Sequence, residues 1–149
     1  MAVNVRGFIL LSQAALPHMI KAGGGSIINT SSLASLAVEH QLNAYSMSKA
    51  AVNMLTMALA ANYGRHGIQC NAVLPSLVNT HGHTGTSVDL MDLHTPVPYS
   101  ANADDLANVI AFLASDESRK INGQLIRVDG GLLSKMPYFE AFRDSTATV

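Results

Sequence analysis

Three short apolar runs, separated by longer helical patterns, constrain the fold of this chain most strongly. The runs cover residues 26–30, 68–74 and 124–128 of a 149-residue sequence. Apolar residues at helical spacing mark residues 2–22 and 44–63, and a third helix opens at Asp104 and Asp105, where carboxylates suit a helix N-terminus. Short apolar runs that alternate with helices are typical of buried parallel strands joined by right-handed crossovers. The sequence therefore predicts an α/β fold with about three parallel strands and helices on both faces.

Glycine residues mark where the predicted helices end. Residues 23–25 are all glycine and follow the first helix, and Gly64 follows the second. Glycine is common just after the last turn of a helix because it adopts the left-handed conformation without strain. Between the first strand and the second helix we expect a polar loop that reaches residue 43.

Tyr45 and Lys49 lie four residues apart at the start of the second predicted helix. Residues at this spacing share one helix face, so the lysine ammonium can lie beside the tyrosine phenol. An adjacent cation favours the phenolate, which makes the phenol a usable general acid and base. Ser32, at the end of the first strand, could supply a hydroxyl to the same site. The pattern predicts proton transfer to or from an alcohol or carbonyl oxygen, although each residue alone also has an ordinary structural explanation.

Five segments, in order and at matching spacing, resemble the short-chain dehydrogenase/reductase family. Any one of them is weak evidence, because a tyrosine and a lysine four residues apart occur often by chance. The segments are residues 4–8 with 13–19 (the family's asparagine helix), 25–32 (its serine strand), 45–49 (its active-site motif), 71–75 (the next strand and turn) and 128–131 (the last strand and its exit). Together they identify the chain as resembling the C-terminal half of such an enzyme.

The resemblance implies an NAD(P)-dependent oxidoreductase that interconverts a secondary alcohol and a ketone. Tyr45 resembles the family's catalytic acid and base. Lys49 resembles its partner, which stabilises the phenolate and holds the nicotinamide ribose. Ser32 resembles the residue that binds the substrate oxygen, and Asn4 resembles the asparagine that helps to order a water for proton relay.

A turn after the second strand resembles the family segment that meets the nicotinamide. The matching residues are Pro75, Val78 and Thr80. The family commonly has glycine after the proline, and this chain has Ser76, which could alter how closely the backbone approaches the cofactor. We therefore expect Tyr45, Lys49 and the residues of this turn to contact NAD or NADP.

The family's phosphate-binding segment has no counterpart in the sequence. Family members begin with a strand and a glycine-rich turn that holds the cofactor pyrophosphate at a helix N-terminus. The glycines at 23–25 precede a strand instead of following one, which is the wrong context for a phosphate site. The resemblance thus implies one partial domain over residues 1–149, with a partial Rossmann-type sheet. Its first strand would present an open edge that normally pairs with the absent half, so its independent stability stays an open question.

Two further segments are assigned by the resemblance. Residues 76–100 resemble the substrate lid, and residues 132–149 resemble a tail that packs against the substrate site or a neighbouring subunit. His81, His83 and His94 raise the possibility of metal binding, but no carboxylate or cysteine completes a recognisable ligand spacing, so we predict no metal.

The composition and net charge indicate which kinds of binding partner this chain can have. The net charge is −1 and the pI is about 6.6, which predicts no nucleic-acid or anionic membrane partner. The apolar stretches are too short to span a membrane, and the single Cys70 fits a reducing cytoplasm. Only 13% of residues are charged against a usual share of about 25%. This apolar character has two explanations, buried parallel strands or a surface shared in a homo-oligomer, and both can contribute.

A second hypothesis belongs to a different functional class. The chain could be a truncated, catalytically inactive paralogue that acts only as an oligomerisation module. The resemblance implies that its contact surface would be the first two helices, which in the family pack against the same helices of a neighbour. Titration with cofactor would separate the two hypotheses.

Overall fold

The computed structural model describes residues 1–80, 94–97, 99 and 101–136. The elements follow the predicted order of helices and strands. They are α1 (Phe8–Ala22), β1 (Gly25–Thr30), α2 (Asn43–Tyr63), β2 (Ile68–Pro75), α3 (Ala103–Ala114) and β3 (Leu125–Val128). A π-helical turn (Ala2–Gly7) leads into α1, and short 3₁₀ helices lie at Leu33–Ser35, Gly64–His66, Asp116–Ser118 and Leu132–Ser134.

The three strands form one parallel sheet in the order β1-β2-β3. Gly25 pairs with Ile68 and Thr30 with Val73, while Pro75 pairs with Val128. The predicted α/β fold with three parallel strands is confirmed. Because all strands run the same way, the segments that follow them meet at one edge of the sheet. Within the described residues β1 pairs on one side only, as expected for an open sheet edge.

Helices cover both faces of the sheet, also as predicted. On one face, Leu16 of α1 and Leu59 of α2 form an apolar cluster with Ile68 and Cys70 of β2. On the other face, the Ser26 hydroxyl donates to the backbone carbonyl of Leu113 in α3 at 2.8 Å. Leu113 is fully buried. Because helices pack on both faces of the sheet, the strands are short runs of mainly apolar residues in the sequence.

Side-chain amides fix the segment between α3 and β3 against the central strand. Asn71, fully buried in β2, donates to the carbonyl of Ile121 at 2.8 Å and accepts from the backbone of Gln124 at 2.9 Å. Asn122 accepts from the Cys70 backbone at 2.9 Å. These bonds give buried polar groups their partners and bring β3 into register beside β2.

The predicted ends of both helices are confirmed, since α1 ends at Ala22 and α2 ends at Tyr63, immediately before Gly64. Gly23 is left-handed, and the amide of Gly24 donates to the carbonyl of Met19, a hydrogen-bond pattern that closes helices. Gly64 has ordinary helical dihedrals, so the chain continues into a 3₁₀ turn that ends at the left-handed Gly67. Gly67 is required there because a Cβ would lie 2.8 Å from the carbonyl oxygen of Gly23.

The segment between β1 and α2 is not the uniformly polar loop expected from the sequence. Leu33 and Ala34 are buried in a 3₁₀ turn. Leu33 joins Ala72 and Leu74 of β2 in a second apolar cluster. The turn is thus anchored to the sheet, and Ser32 begins it.

Cys70 gives a prediction about the dependence of stability on pH. The thiol is fully buried, and burial raises its pKa to about 11 from 9.0. Between these values the unfolded chain loses the thiol proton while the native chain keeps it. The thiol's contribution to the unfolding free energy is therefore present below pH 9 and is lost as the pH rises towards about 11. Urea titrations at several pH values should show the stability difference between the wild type and Cys70→Ala shrinking over this interval. A constant difference would contradict the prediction.

Candidate functional site

Lys49 is held at the carboxyl edge of the sheet, where its ammonium lies over two aromatic rings. Its Nζ lies 5.7 Å from the centroid of the Tyr45 ring and 5.7 Å from that of Phe8. The ammonium donates to the backbone carbonyl of Thr30, the last residue of β1, at 2.9 Å. Partial burial lowers the pKa of Lys49 below its usual 10.5. The structure thus brings the predicted cation next to the predicted phenol and fixes it to the first strand.

Asn4 reaches the same helix through Ser48. The Asn4 side-chain amide donates to Ser48 Oγ at 3.2 Å, and that hydroxyl donates to the backbone carbonyl of Tyr45 at 2.7 Å. Asn4 lies in the π-helical turn, where the amide of Arg6 also approaches the carbonyl of Met1 at 3.4 Å. π-helical turns are rare and occur often at functional sites. The contacts tie the predicted asparagine to the backbone of the predicted acid and base.

Ser32 begins the 3₁₀ turn after β1. Its Oγ accepts a hydrogen bond from the backbone of Ala34 at 3.2 Å. Because this bond uses a lone pair of the oxygen, Ser32 can still donate its hydroxyl proton to another acceptor, such as a substrate oxygen. A hydroxyl that accepts one bond becomes a better donor in the next.

Two serines that no sequence pattern distinguished, Ser31 and Ser48, also support the site. Ser31 is buried and its Oγ donates to the backbone carbonyl of Lys49 at 3.1 Å, joining the exit of β1 to α2. Ser48 is also buried, and its hydroxyl donates a hydrogen bond to the backbone carbonyl of Tyr45, one helical turn earlier. The signal in the sequence was their position inside the segments 25–32 and 45–49. A serine that is buried there needs a hydrogen-bond partner for its hydroxyl.

The predicted cofactor turn leaves β2 beside the exit of β3. Pro75 ends β2, and the amide of Ser76 lies 3.4 Å from the carbonyl of Val128. Val78 forms an isolated parallel bridge with Ala101. Thr80 is exposed. The four predicted residues therefore lie at the end of the central strand and just beyond it, at the same edge as Ser32 and Lys49, where open α/β sheets bind their ligands.

A cavity of about 240 Å³ lies beside this turn. Its lining includes Ser76 and Leu77, the returning residues Thr95 and Val97, and the buried Asp129. The amide of Val97 donates to the carbonyl of Gly130 at 3.0 Å, so the returning segment is fixed to the exit of β3. Gly130 has a φ of +56° and packs against Thr95 so closely that a Cβ would clash.

Parts of the predicted lid and tail lie outside the described residues, including His81, His83 and residues 137–149. His94 is described and exposed. In the described part of the chain, no three His, Cys, Asp or Glu side chains are grouped as metal ligands. No helix among the described residues is long and apolar enough to cross a membrane.

The described residues fit a nicotinamide cofactor in part. Lys49 and the turn after β2 lie at the ligand-binding edge of the sheet. The glycines at 23–25 lie at the opposite edge, since Gly25 begins β1, and they serve to close α1. The residues present therefore suit the nicotinamide end of such a cofactor and do not supply a pyrophosphate site.

Comparison with known proteins identifies relatives of this chain. A family model described as enoyl-(acyl carrier protein) reductase matches residues 1–133. A probable short-chain type dehydrogenase/reductase of Bradyrhizobium diazoefficiens is 40% identical over 143 residues, which are 93% of this chain and 51% of that protein. The 7alpha-hydroxysteroid dehydrogenase of Clostridium sardiniense is 37% identical over 143 residues, covering 93% of this chain and 55% of that protein.

A solved structure shows the same fold. The gluconate 5-dehydrogenase of Burkholderia cenocepacia J2315, in complex with NADP and tartrate, aligns with a TM-score of 0.84 at 35% identity. The alignment covers 90% of this chain and 55% of that chain. This chain belongs to the short-chain dehydrogenase/reductase family, whose relatives here are oxidoreductases. It spans about half the length of the curated relatives it matches.

Proposed function

We propose that this chain carries the proton-transfer part of the active site of an NAD(P)-dependent oxidoreductase that interconverts a secondary alcohol and a ketone. The observation that carries the proposal is the placement of Lys49, whose ammonium lies 5.7 Å from the Tyr45 ring and is fixed to Thr30 at the end of β1. Membership of the family supports it. NAD or NADP, when bound, supplies or accepts the hydride.

The chain's own residues are proposed to bind and protonate the substrate oxygen. Tyr45 moves the proton, and the Lys49 ammonium stabilises the phenolate that remains. The Ser32 hydroxyl donates to the same substrate oxygen and stabilises developing negative charge. Asn4, through Ser48, holds the start of α2 and helps to order a water that relays the proton.

The remaining assignments follow from the same proposal. Lys49 and Tyr45 contact the nicotinamide ribose, and Pro75, Ser76, Val78 and Thr80 form the wall against the nicotinamide. Residues 76–100 act as the substrate lid and 132–149 as the tail beside it, within one partial domain over 1–149. The substrate is a small alcohol or ketone, and the location is the cytoplasm, where a lone thiol stays reduced.

The test restores the phosphate-binding half by fusion. Residues 1–149 would replace the matching part of the Burkholderia gluconate 5-dehydrogenase, whose solved structure contains NADP. Turnover of NADH or NADPH with a panel of ketones would support the proposal. A folded fusion that binds cofactor but turns over no alcohol or ketone would contradict it. The unfused chain, which lacks a phosphate-binding segment in its sequence, should bind either cofactor poorly.

The alternative function, an oligomerisation module, is favoured by the exposed surface of α1 and α2. Leu11 is 74% exposed, and Met47 and Met54 are each 63% exposed. Along α2 the only charged residue is Lys49, which is turned towards the site. An exposed apolar surface of this kind marks an interaction site. We propose that these helices associate with the same helices of a second copy, a contact that both functions would share.

This association can be tested by adding charge to one helix. A two-fold contact uses the same surface patch of both copies, so Met54→Glu would place a carboxylate in each half of the contact. We expect the dissociation constant to rise by roughly a hundredfold or more, because removing a carboxylate from water is costly. Light scattering after size exclusion would measure the mass. Phe112→Glu, on α3 at the opposite face, is the matched control and should leave the mass unchanged. A wild-type chain that stays monomeric at high concentration would contradict the association.

A further inference from the structure

A side-chain bridge connects α2 to the turn that carries Ser32. The Asn53 side-chain amide donates to Ser35 Oγ at 2.8 Å, and Ser35 Oγ donates to the backbone carbonyl of Ser32. Asn53 lies one helical turn beyond Lys49 and is only 5% exposed. The bridge therefore runs from the helix that holds Tyr45 and Lys49 to the backbone of the residue proposed to bind the substrate oxygen.

The chemistry of the bridge fixes its direction. Ser35 Oγ has given its proton to the Ser32 carbonyl, so it can only accept a bond from Asn53. The nitrogen of the Asn53 amide must then face Ser35, and the oxygen must point away. Among the described residues Asn53 Oδ1 is buried without a hydrogen-bond partner. Burial of an unpaired carbonyl oxygen is unfavourable. The Asn53 amide therefore orients a hydrogen-bond donor towards Ser35 but lowers the stability of the folded chain.

We propose that Asn53 is a positioning residue that fixes the Ser32 hydroxyl through Ser35. The Ser32 carbonyl accepts from both the Ser35 hydroxyl and the Ser35 amide, the latter at 3.0 Å. With its backbone held in this way, Ser32 keeps its Oγ on the Ala34 amide and its proton free for substrate. The catalytic part of this inference depends on the proposed function, whereas the bridge itself does not.

Hydrogen exchange of the 149-residue chain tests the bridge without any activity. Asn53→Leu keeps the approximate shape of the side chain and removes both polar atoms. The amides of Ala34, Ser35 and Leu36, which close the turn, should exchange faster by roughly two- to tenfold, the change expected from losing one hydrogen bond. The unfolding midpoint should stay unchanged or rise, because the unpaired oxygen is gone. If Asn53 acted only in packing, faster exchange of these amides would be accompanied by a lower unfolding midpoint.

Two further variants complete the exchange experiment. Ser35→Ala should also speed the exchange of these amides. The double variant Asn53→Leu, Ser35→Ala should exchange no faster than Ser35→Ala alone, since both substitutions act through one hydrogen bond. Thr56→Val is the matched control: Thr56 is a buried polar residue of α2 that accepts from Asn29 at 2.9 Å, away from the turn. It should leave exchange of the turn unchanged. Unaltered exchange in Asn53→Leu, or an equal effect of Thr56→Val, would overturn the proposal.

The catalytic part is measured in the fusion described above. Asn53→Leu should lower kcat by roughly tenfold or less, a smaller loss than deletion of the oxyanion donor itself, with the KM for cofactor unchanged. Faster exchange with unaltered kcat would overturn the positioning role. If the wild-type fusion binds cofactor but has no activity, the proposed function fails, and the exchange result still decides whether Asn53 holds the turn.

Discussion

Replacing Tyr45 with phenylalanine should lower oxidoreductase turnover in the fusion by roughly two to four orders of magnitude and leave cofactor affinity almost unchanged. The substitution removes only the phenol hydroxyl, which is the proton donor and acceptor of the proposed reaction. The ring, which lies 5.7 Å from Lys49 Nζ, is retained. General acid–base catalysis contributes about 10²- to 10⁴-fold, so kcat should fall by a factor in that range. Single-turnover absorbance measurements and a fluorescence titration with NADPH would give the two quantities.

Tyr63→Phe is the matched control for this experiment. It makes the same chemical change at the other end of α2, where the ring packs beside the apolar cluster of Leu16 and Leu59. Turnover should be unaltered in this variant. Near wild-type turnover in Tyr45→Phe would exclude the proposed role, and equal losses in both variants would point to a general effect on folding.

The fold was largely predictable because its signals are local. A buried parallel strand needs a short apolar run, and a helix that covers it needs apolar residues at helical spacing, so both leave marks in the sequence. The relation of Tyr45 to Lys49 was predictable for the same reason, since four residues along a helix determine a shared face.

Other features depend on contacts between distant segments and left no such mark. The left-handed residue after α2 is Gly67 and not Gly64, because Gly67 must pass close to Gly23. The π-helical turn at Asn4 depends on a shift of backbone hydrogen bonds that apolar spacing does not encode. The bridge from Asn53 to Ser35 joins residues 18 positions apart and becomes visible only when α2 packs on the turn.

Replacing Lys49 with methionine should damage both turnover and cofactor affinity, which distinguishes it from Tyr45→Phe. Methionine keeps most of the side-chain volume and removes the charge. The phenolate of Tyr45 then loses the cation that lies beside its ring, and the ribose loses a donor. We expect kcat/KM to fall by at least roughly a hundredfold, the lower end of the range for acid–base catalysis. A variant with weakened turnover and unaltered NADPH affinity would show that Lys49 does not contact the cofactor.

The lowered pKa of Lys49 adds a test that needs no activity. Burial disfavours the ammonium, so the native chain releases this proton at a lower pH than the unfolded chain, whose lysine keeps the usual 10.5. In the window between the two values the unfolded state binds more protons, and the unfolding free energy must rise with pH. The Lys49→Met variant has no such proton to release. The unfolding free energy of the wild type should therefore increase relative to that of the variant as the pH approaches 10.5. Urea titrations of both chains at matched pH values measure the difference. If the difference does not change with pH, the Lys49 ammonium is not partly removed from water as the structure places it.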